Sequence, residues 1–300
     1  MWSEWPLVLF TLSIQMGVGL FCTGETLDWL YSHRYGFTVF RPIRIRFRTA
    51  AAALTGVGLL TSFFHLGSPF GAVLSLSNLK ASWLSREILL VVVFAGATLF
   101  LLLIVLLSRA YRGLQGLIAL MGGTVGILLI AAMSKIYMLP AVPLWNRITT
   151  PLSFFIDTWL LGILAAVVLF LSRPITGDNK EDEHRKSADW ANRFIRASAL
   201  GVLLLLAAGT GLTWSLAMEA HSQAGSSLLW LSGGLGGTIL PLRYLTALAG
   251  ASILLITILR SRRRVEKGVL SLSFAALLMI LFSEILARFY FYSLSGCGRL

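Results

Sequence analysis

The sequence predicts an all-α integral membrane protein, a single domain over residues 1–300 built as a bundle of eight transmembrane helices. Hydrophobic residues make up 57% of the chain and charged residues only 13%, whereas about a quarter of the residues in a soluble domain are charged. The apolar residues also form continuous runs that reach the roughly 20 residues of a membrane-spanning helix. An outer-membrane barrel is excluded because its strands would alternate apolar and polar residues.

The apolar runs give the order of the helices along the chain. The N-terminus lacks a basic segment and the first run is longer than the apolar part of a signal peptide, so we expect this run to remain as a helix. The fourth run contains Gly116, Gly122, Gly123 and Gly126, which predict close packing between helices. To within a few residues, the predicted helices lie at about 6–31, 49–67, 85–107, 115–137, 151–172, 194–218, 239–260 and 268–293.

Lysine and arginine residues cluster after the odd-numbered predicted helices, in the stretches 34–48, 109–112, 173–186 and 260–267. Loops rich in these residues stay on the cytoplasmic side of a membrane. Both termini are therefore predicted to be extracytoplasmic, and the protein is predicted to lie in a bacterial or archaeal cytoplasmic membrane. The formal charge of +12 reflects this topology, and we expect membrane lipid, not nucleic acid, to surround the protein.

The connection between the second and third predicted helices places His65 and Glu87 at the same outer rim. The two oxygens of a hydroxyquinone exchange protons as electrons are transferred, so each needs a hydrogen-bonding group in both redox states. We therefore interpret this hairpin as the candidate catalytic site, in which His65 accepts a proton and Glu87 serves the other hydroxyl or relays protons outward. The alternative is a polar turn in which His65 caps a helix and Glu87 pairs with Arg86.

Other ionisable residues inside the predicted spans also lie toward the outer side. A charge at the bilayer centre costs about 2.5–3.5 kcal/mol on insertion scales, so each requires a partner or a function. Glu284 and Arg288 are four residues apart with the acid first, the better order for a helical ion pair. At the opposite rim, Glu25 and Asp28 lie close enough to the arginines of 44–48 for ion pairing.

The cysteine and histidine content is too small for a metal cofactor in this protein. Cys22 and Cys297 are the two cysteines, and His65 is the histidine at membrane depth. An iron–sulfur cluster needs more thiolates and a bis-histidine haem needs two facing histidines. We expect no haem, iron–sulfur cluster or other metal site here.

Several segments along nearly the whole chain form a recognisable series. They are Glu4-Trp5-Pro6-Leu7, His65-Leu66-Gly67-Ser68-Pro69, Ser82 to Glu87, Trp145 with Thr150-Pro151 and Phe154-Phe155, Arg243, and Glu284 with Arg288, Phe291 and Tyr292. In order and spacing these segments resemble the membrane anchor subunits of dimethyl sulfoxide (DMSO) reductase, which are related to polysulfide reductase-type quinone anchors. The resemblance implies eight helices, outward termini and no haem.

The resemblance also implies a function. Such a subunit anchors a molybdopterin catalytic subunit and a ferredoxin-like iron–sulfur subunit with four clusters at the extracytoplasmic face, oxidises menaquinol to menaquinone, and passes the electrons to the nearest cluster. It is an enzyme only as the quinol-oxidising part of that complex. The quinol-site histidine and carboxylate of the family fall on His65 and Glu87. Further candidates for quinol binding are Trp83, Arg86, Asp157, Arg243, Glu284 and Arg288.

Three alternatives remain open from the sequence. A quinone-reducing anchor of a related molybdoenzyme, such as a formate dehydrogenase, would use the same groups. A purely structural anchor would use all the ionisable residues for assembly. In a quinol-binding anchor, Arg243 would either stabilise negative charge on the quinone or neutralise Glu87. A secondary transporter is disfavoured because its site normally lies at the membrane midplane between repeats, whereas the polar groups here lie toward one rim.

Overall fold

The computed structural model describes residues 4–35, 40–64, 78–107, 112–172, 181–223, 235–261 and 267–294, and within these ranges it is all-helical. Seven of its helices, all except the second, are long and apolar enough to cross a membrane. The structure confirms the predicted bundle of membrane helices. The side of the membrane on which the two termini lie stays a prediction. The eight helices are α1 (Trp5–Tyr35), α2 (Arg41–Ser62), α3 (Trp83–Leu107), α4 (Arg112–Tyr137), α5 (Thr149–Leu171), α6 (Glu181–Gln223), α7 (Leu235–Ser261) and α8 (Lys267–Ser293).

The predicted bounds of two helices are wrong. Helix α2 begins at Arg41, not near residue 49, and ends at Ser62, not near residue 67. Its first turns contain several arginines, which a search for apolar runs excludes, although the proline beside Arg41 suits a helix start. Helix α6 extends over Glu181–Gln223, so the charged residues 181–186, predicted as a solvated loop, are helical.

Two arginines of α2, Arg44 and Arg48, are buried because carboxylates on α1 neutralise them. Arg44 donates hydrogen bonds of 2.6 and 2.5 Å to Asp28. Arg48 donates bonds of 2.7 and 2.9 Å to the two carboxylate oxygens of Glu25. The predicted pairing of Glu25 and Asp28 with these arginines is confirmed, and it explains how a helix with a charged first half joins the bundle.

Helices α1 and α5 form the centre of the fold. Helix α1 packs against α2, α4, α5 and α8, and α5 additionally contacts α6. The two cross at glycines: a Cβ atom at Gly19 would overlap the Thr158 carbonyl oxygen, and one at Gly162 would overlap the backbone of Gly19. Such small residues let helix backbones approach closely in membranes. The remaining helices expose apolar side chains outward, as lipid contact requires.

Candidate functional site

Glu87 lies one turn inside the N-terminus of α3. The Ser85 amide donates to the Ser82 hydroxyl at 3.2 Å, so Ser82 caps the helix start. The side chain of Glu87 is turned into the bundle and is only 7% exposed. Within the described ranges Glu87 forms no hydrogen bond or salt bridge. His65 lies outside the described residues, so its proximity to Glu87 stays a prediction.

Two tyrosines lie close enough to Glu87 to interact electrostatically with its carboxyl group, Tyr137 at the end of α4 and Tyr292 at the end of α8. Their hydroxyl oxygens are 3.2 Å apart. Tyr292 also donates to the Thr11 hydroxyl of α1 at 3.3 Å. Four helices thus bring a carboxyl group and three hydroxyl groups together in the interior of the bundle.

An aromatic cluster, defined by Tyr137, Trp145, Phe154, Phe291 and Tyr292, surrounds these hydroxyl groups. The Tyr137 ring lies 5.6 Å from Trp145, 5.5 Å from Phe154 and 5.6 Å from Phe291, measured between centroids. Trp145 stacks on Phe291 at 5.2 Å and 15°, and its indole nitrogen donates to the Phe291 carbonyl at 3.0 Å. These rings are buried against one another, and they give the hydroxyl groups an apolar, polarisable environment.

Arg288 lies against the aromatic cluster, where its guanidinium contacts the Phe154 ring. Its guanidinium pairs with Asp157 at 2.5 Å and donates to the Gln15 side-chain oxygen at 3.1 Å. It also lies 4.0 Å over the Phe154 ring. The Gln15 amide donates to the Phe154 carbonyl at 2.9 Å, so α1, α5 and α8 are joined by one hydrogen-bonded unit.

A second buried ion pair lies beside the first. Arg243 of α7 and Glu284 of α8 are 3.7 Å apart, and their side chains are 1% and 2% exposed. Asp157 and Glu284 interact across the α5–α8 interface. Both pairs border a cavity of about 40 Å³, and two Arg243 nitrogens and one Glu284 oxygen have no hydrogen-bond partner among the described residues.

Three ion pairs that the sequence left open do not form among the described residues. Glu284 pairs with Arg243, and Arg288 pairs with Asp157, so the pair between Glu284 and Arg288 along one helix does not form in the described part. Arg243 accordingly does not neutralise Glu87. Tertiary neighbours provide better-placed opposite charges than the same helix does.

Arg86 does not pair with Glu87 either. Its guanidinium donates to the carbonyls of Leu79 at 2.9 Å and Lys80 at 2.7 Å. It also stacks 4.2 Å over the Trp83 ring. Trp83 is partly exposed and lines an outer cleft of about 370 Å³ together with Lys135. Arg86 is therefore engaged with Trp83 and with backbone carbonyls, and no described residue pairs with the Glu87 carboxyl group.

Three residues of this site, Tyr137, Thr11 and Gln15, were not predicted from the sequence. None of them is charged, and hydroxyl groups are common at helix ends. A signal existed for Gln15, an amide inside the first apolar run. Within the described ranges no group of three or more His, Cys, Asp and Glu residues is arranged to hold a metal ion.

Comparison with known protein families shows to which family this protein belongs. The family model described as DMSO reductase anchor subunit (DmsC) matches residues 1–294. The chain belongs to this family. As a DmsC-family member with long apolar helices, it is a multi-pass membrane protein.

Curated relatives of this DmsC-family protein include the YnfH subunit of an anaerobic DMSO reductase of Escherichia coli, 32% identical over 57% of this sequence and 60% of the relative. The C subunit of the Haemophilus influenzae anaerobic DMSO reductase is 28% identical over 61% of this sequence and 62% of the relative. The C subunit of the E. coli anaerobic DMSO reductase is 29% identical over 69% of this sequence and 67% of the relative. The protein thus spans under two thirds of the length of the first two relatives. No solved structure matches it.

Proposed function

We propose that this protein is the membrane anchor and menaquinol-oxidising subunit of an anaerobic respiratory complex of the DMSO reductase type. Membership of the anchor family supports the anchoring role. The observation that carries the quinol-oxidising role is the buried carboxyl group of Glu87, unpaired within the described ranges and within electrostatic range of Tyr137 and Tyr292. The partners are a molybdopterin catalytic subunit and a ferredoxin-like iron–sulfur subunit with four clusters.

The proposed chemistry requires a group that receives a proton. Oxidation of menaquinol to menaquinone releases two electrons and two protons, and an efficient base must lie within hydrogen-bond reach of the hydroxyl group. Burying an ionised carboxylate without a partner costs several kcal/mol, so Glu87 is stabilised when it takes up a proton. We assign the second proton to His65. The electrons pass to the iron–sulfur subunit.

In this proposal, the aromatic cluster binds the flat quinol ring. Trp145, Phe154 and Phe291 are already held face to face or edge to face, so little ordering is needed when another ring binds. Trp83 and Arg86 lie at the rim and would border the ring's entry.

The buried ion pairs have a positioning role in this proposal. Arg288 contacts Phe154 and Asp157, and Arg243 contacts Glu284. These four charges are paired with one another, so they fix α5, α7 and α8 around the aromatic cluster. We do not assign them contact with the quinol.

The test compares complexes with and without this subunit. A quinol donor and reduced viologen are each supplied to the partner subunits alone and to the whole complex in lipid vesicles, and substrate reduction is measured. We expect reduced viologen to support turnover in both preparations, because it can reach the soluble partners directly. A menaquinol analogue should support turnover only when this protein is present. Turnover of the analogue by the partners alone, or its failure with the whole complex, would contradict the proposal and leave a purely structural anchor.

A further inference from the structure

The small cavity beside the two buried ion pairs lies between α5, α6, α7 and α8. Its volume is about 40 Å³, and hydroxyl groups of Ser153 on α5 and Thr213 on α6 line it together with both ion pairs. We call it the ion-pair cavity. Sites for organic ligands measure roughly 300–1,000 Å³, so the ligand of this cavity must be far smaller.

Arg243 and Glu284 line the ion-pair cavity with polar atoms that the described residues do not satisfy. Their side chains are 1% and 2% exposed. The Nε and Nη1 atoms of Arg243 and the Oε1 atom of Glu284 have no hydrogen-bond partner among the described residues. The Nη2 and Oε2 atoms of the pair are 3.7 Å apart, which is longer than a hydrogen bond. Because a buried polar atom without a partner has lost its hydration in return for nothing, these atoms require a ligand.

The hydroxyl groups in the lining limit what this ligand can be. Ser153 and Thr213 each donate to a backbone carbonyl of their own helix, at 2.8 and 3.0 Å. A hydroxyl group has one hydrogen and two lone pairs, so both oxygens can still accept a hydrogen bond. Arg243 provides donors only, and the Glu284 carboxylate provides acceptors only. The ligand must therefore both accept and donate hydrogen bonds.

The charges of the lining exclude an ion as this ligand. Arg243 and Arg288 are the two positive groups that line the cavity, and Asp157 and Glu284 are the two negative groups. The charges balance, so the cavity attracts neither anions nor cations. An anion would also lie beside two carboxylates, and a cation beside two guanidinium groups. A neutral molecule that donates and accepts hydrogen bonds meets these conditions.

We propose that the ion-pair cavity binds ordered water. One water molecule accepts a hydrogen bond from Arg243 and donates to Glu284 and to the hydroxyl oxygen of Thr213, which gives the roughly three bonds typical of buried water. A water molecule needs about 10–15 Å³ of such a cavity, so the cavity holds one to roughly three. The water completes the long ion pair and joins α6 to α7 and α8. This inference does not depend on the proposed quinol chemistry.

The test is X-ray radiolytic labelling of the full-length protein in lipid nanodiscs, followed by mass spectrometry. X-rays convert water into hydroxyl radicals, and a radical formed from bound water oxidises the side chain beside it before a scavenger in bulk solution can react. Tyr290 lines the ion-pair cavity and is 2% exposed. The matched control is Tyr31 of α1, which is 1% exposed, packs on the Phe40 ring and is not part of this lining. We expect Tyr290 to be oxidised severalfold faster than Tyr31.

Variants of Ala287, which also lines the cavity, assign the labelling to this water. Ala287→Leu should slow the oxidation of Tyr290 to the rate of Tyr31, because the longer side chain occupies the space of the water. Ala287→Ser adds little volume and should leave the oxidation unaltered. If leucine prevents folding, Ala287→Val makes the same test with less added volume.

Three results would overturn the proposal. The first is oxidation of Tyr290 no faster than that of Tyr31 in the unaltered protein. The second is unaltered oxidation of Tyr290 in the folded leucine or valine variant, which would place the water elsewhere. The third is an equal loss in the serine variant, which would assign the effect to a general change in packing.

Discussion

Glu87 differs from the other buried carboxylates of the bundle in its surroundings. Asp28, Glu25, Asp157 and Glu284 each pair with an arginine, whereas within the described ranges Glu87 has no such partner and interacts only electrostatically with two tyrosines. A carboxylate held by a guanidinium has little tendency to accept a proton, because the positive charge favours its ionised form. At the scale of single residues, Glu87 is therefore the group suited to proton exchange.

The hydroxyl group of Tyr137 is predicted to take part in quinol binding. In Tyr137→Phe the ring keeps its contacts with the aromatic cluster, but the hydroxyl bond to Tyr292 is lost. Quinol-driven turnover should fall about two- to tenfold, the effect of one hydrogen bond worth about 0.5–1.5 kcal/mol. Viologen-driven turnover should not change. The matched control is Tyr244→Phe, a tyrosine beside Trp214 and outside the cluster; equal losses in both variants would argue against this role.

The pair between Arg288 and Asp157 is predicted to stabilise the fold strongly. Arg288→Met leaves Asp157 buried without its partner, which should lower the free energy of unfolding by about 3–5 kcal/mol. The control is Arg147→Met, because the pair of Arg147 with Glu219 is 40% and 26% exposed and should contribute at most about 1 kcal/mol. Denaturant unfolding of the solubilised protein measures both. Similar losses in the two variants would contradict the assignment.

The sequence identified the charged members of the site but not their partners. Asp157, Arg243, Glu284 and Arg288 were recognised because a charge is conspicuous in an apolar run. Their pairing depends on how α5, α7 and α8 cross, which residue spacing along one helix does not determine. Tyr137 was missed for a different reason, since a tyrosine at a helix end resembles an interfacial anchor.

At the scale of helices, the crossing of α1 and α5 controls the whole arrangement. Gly162→Ala would place a methyl group against the backbone carbonyl carbon of Gly19, closer than van der Waals contact permits, and the two helices would have to separate. We expect a marked loss of folded protein in detergent, because overpacking costs about 1–3 kcal/mol and more where backbone must move. The control is Gly201→Ala on α6, where a Cβ atom meets nothing within 4 Å. Normal folding of the Gly162 variant would show that the crossing is less close than described.

Most helices could be predicted from apolar runs because lipid contact demands a nearly continuous apolar surface. Helix α2 shows where this reasoning fails. Arg44 and Arg48 are buried against α1, so ion pairs, and not hydropathy, hold the first half of this helix in the bundle. The predicted start of α6 is wrong for a similar reason, because residues 181–186 extend a membrane helix with polar turns.

At the scale of the whole molecule, the positive charges predict the orientation in the membrane. A reporter fused after Lys267 should report the cytoplasm, and one fused at the C-terminus should report the outside. The N-terminus should lie on the same side as the C-terminus if α2 crosses the membrane. A tag accessible from opposite sides at the two termini would show that α2, the least apolar helix, does not cross.

The central claim is that quinol is oxidised at Glu87, and the ratio of quinol-driven to viologen-driven turnover tests it most directly. Glu87→Gln keeps the shape and hydrogen bonding of the side chain but removes the group that accepts a proton. In the assembled complex the ratio should fall about a hundredfold, the contribution of a positioned general base. Glu4→Gln, the same chemical change just before α1, should leave the ratio unaltered. An unaltered ratio in the assembled Glu87→Gln complex would contradict the account and exclude Glu87 from the site of quinol oxidation.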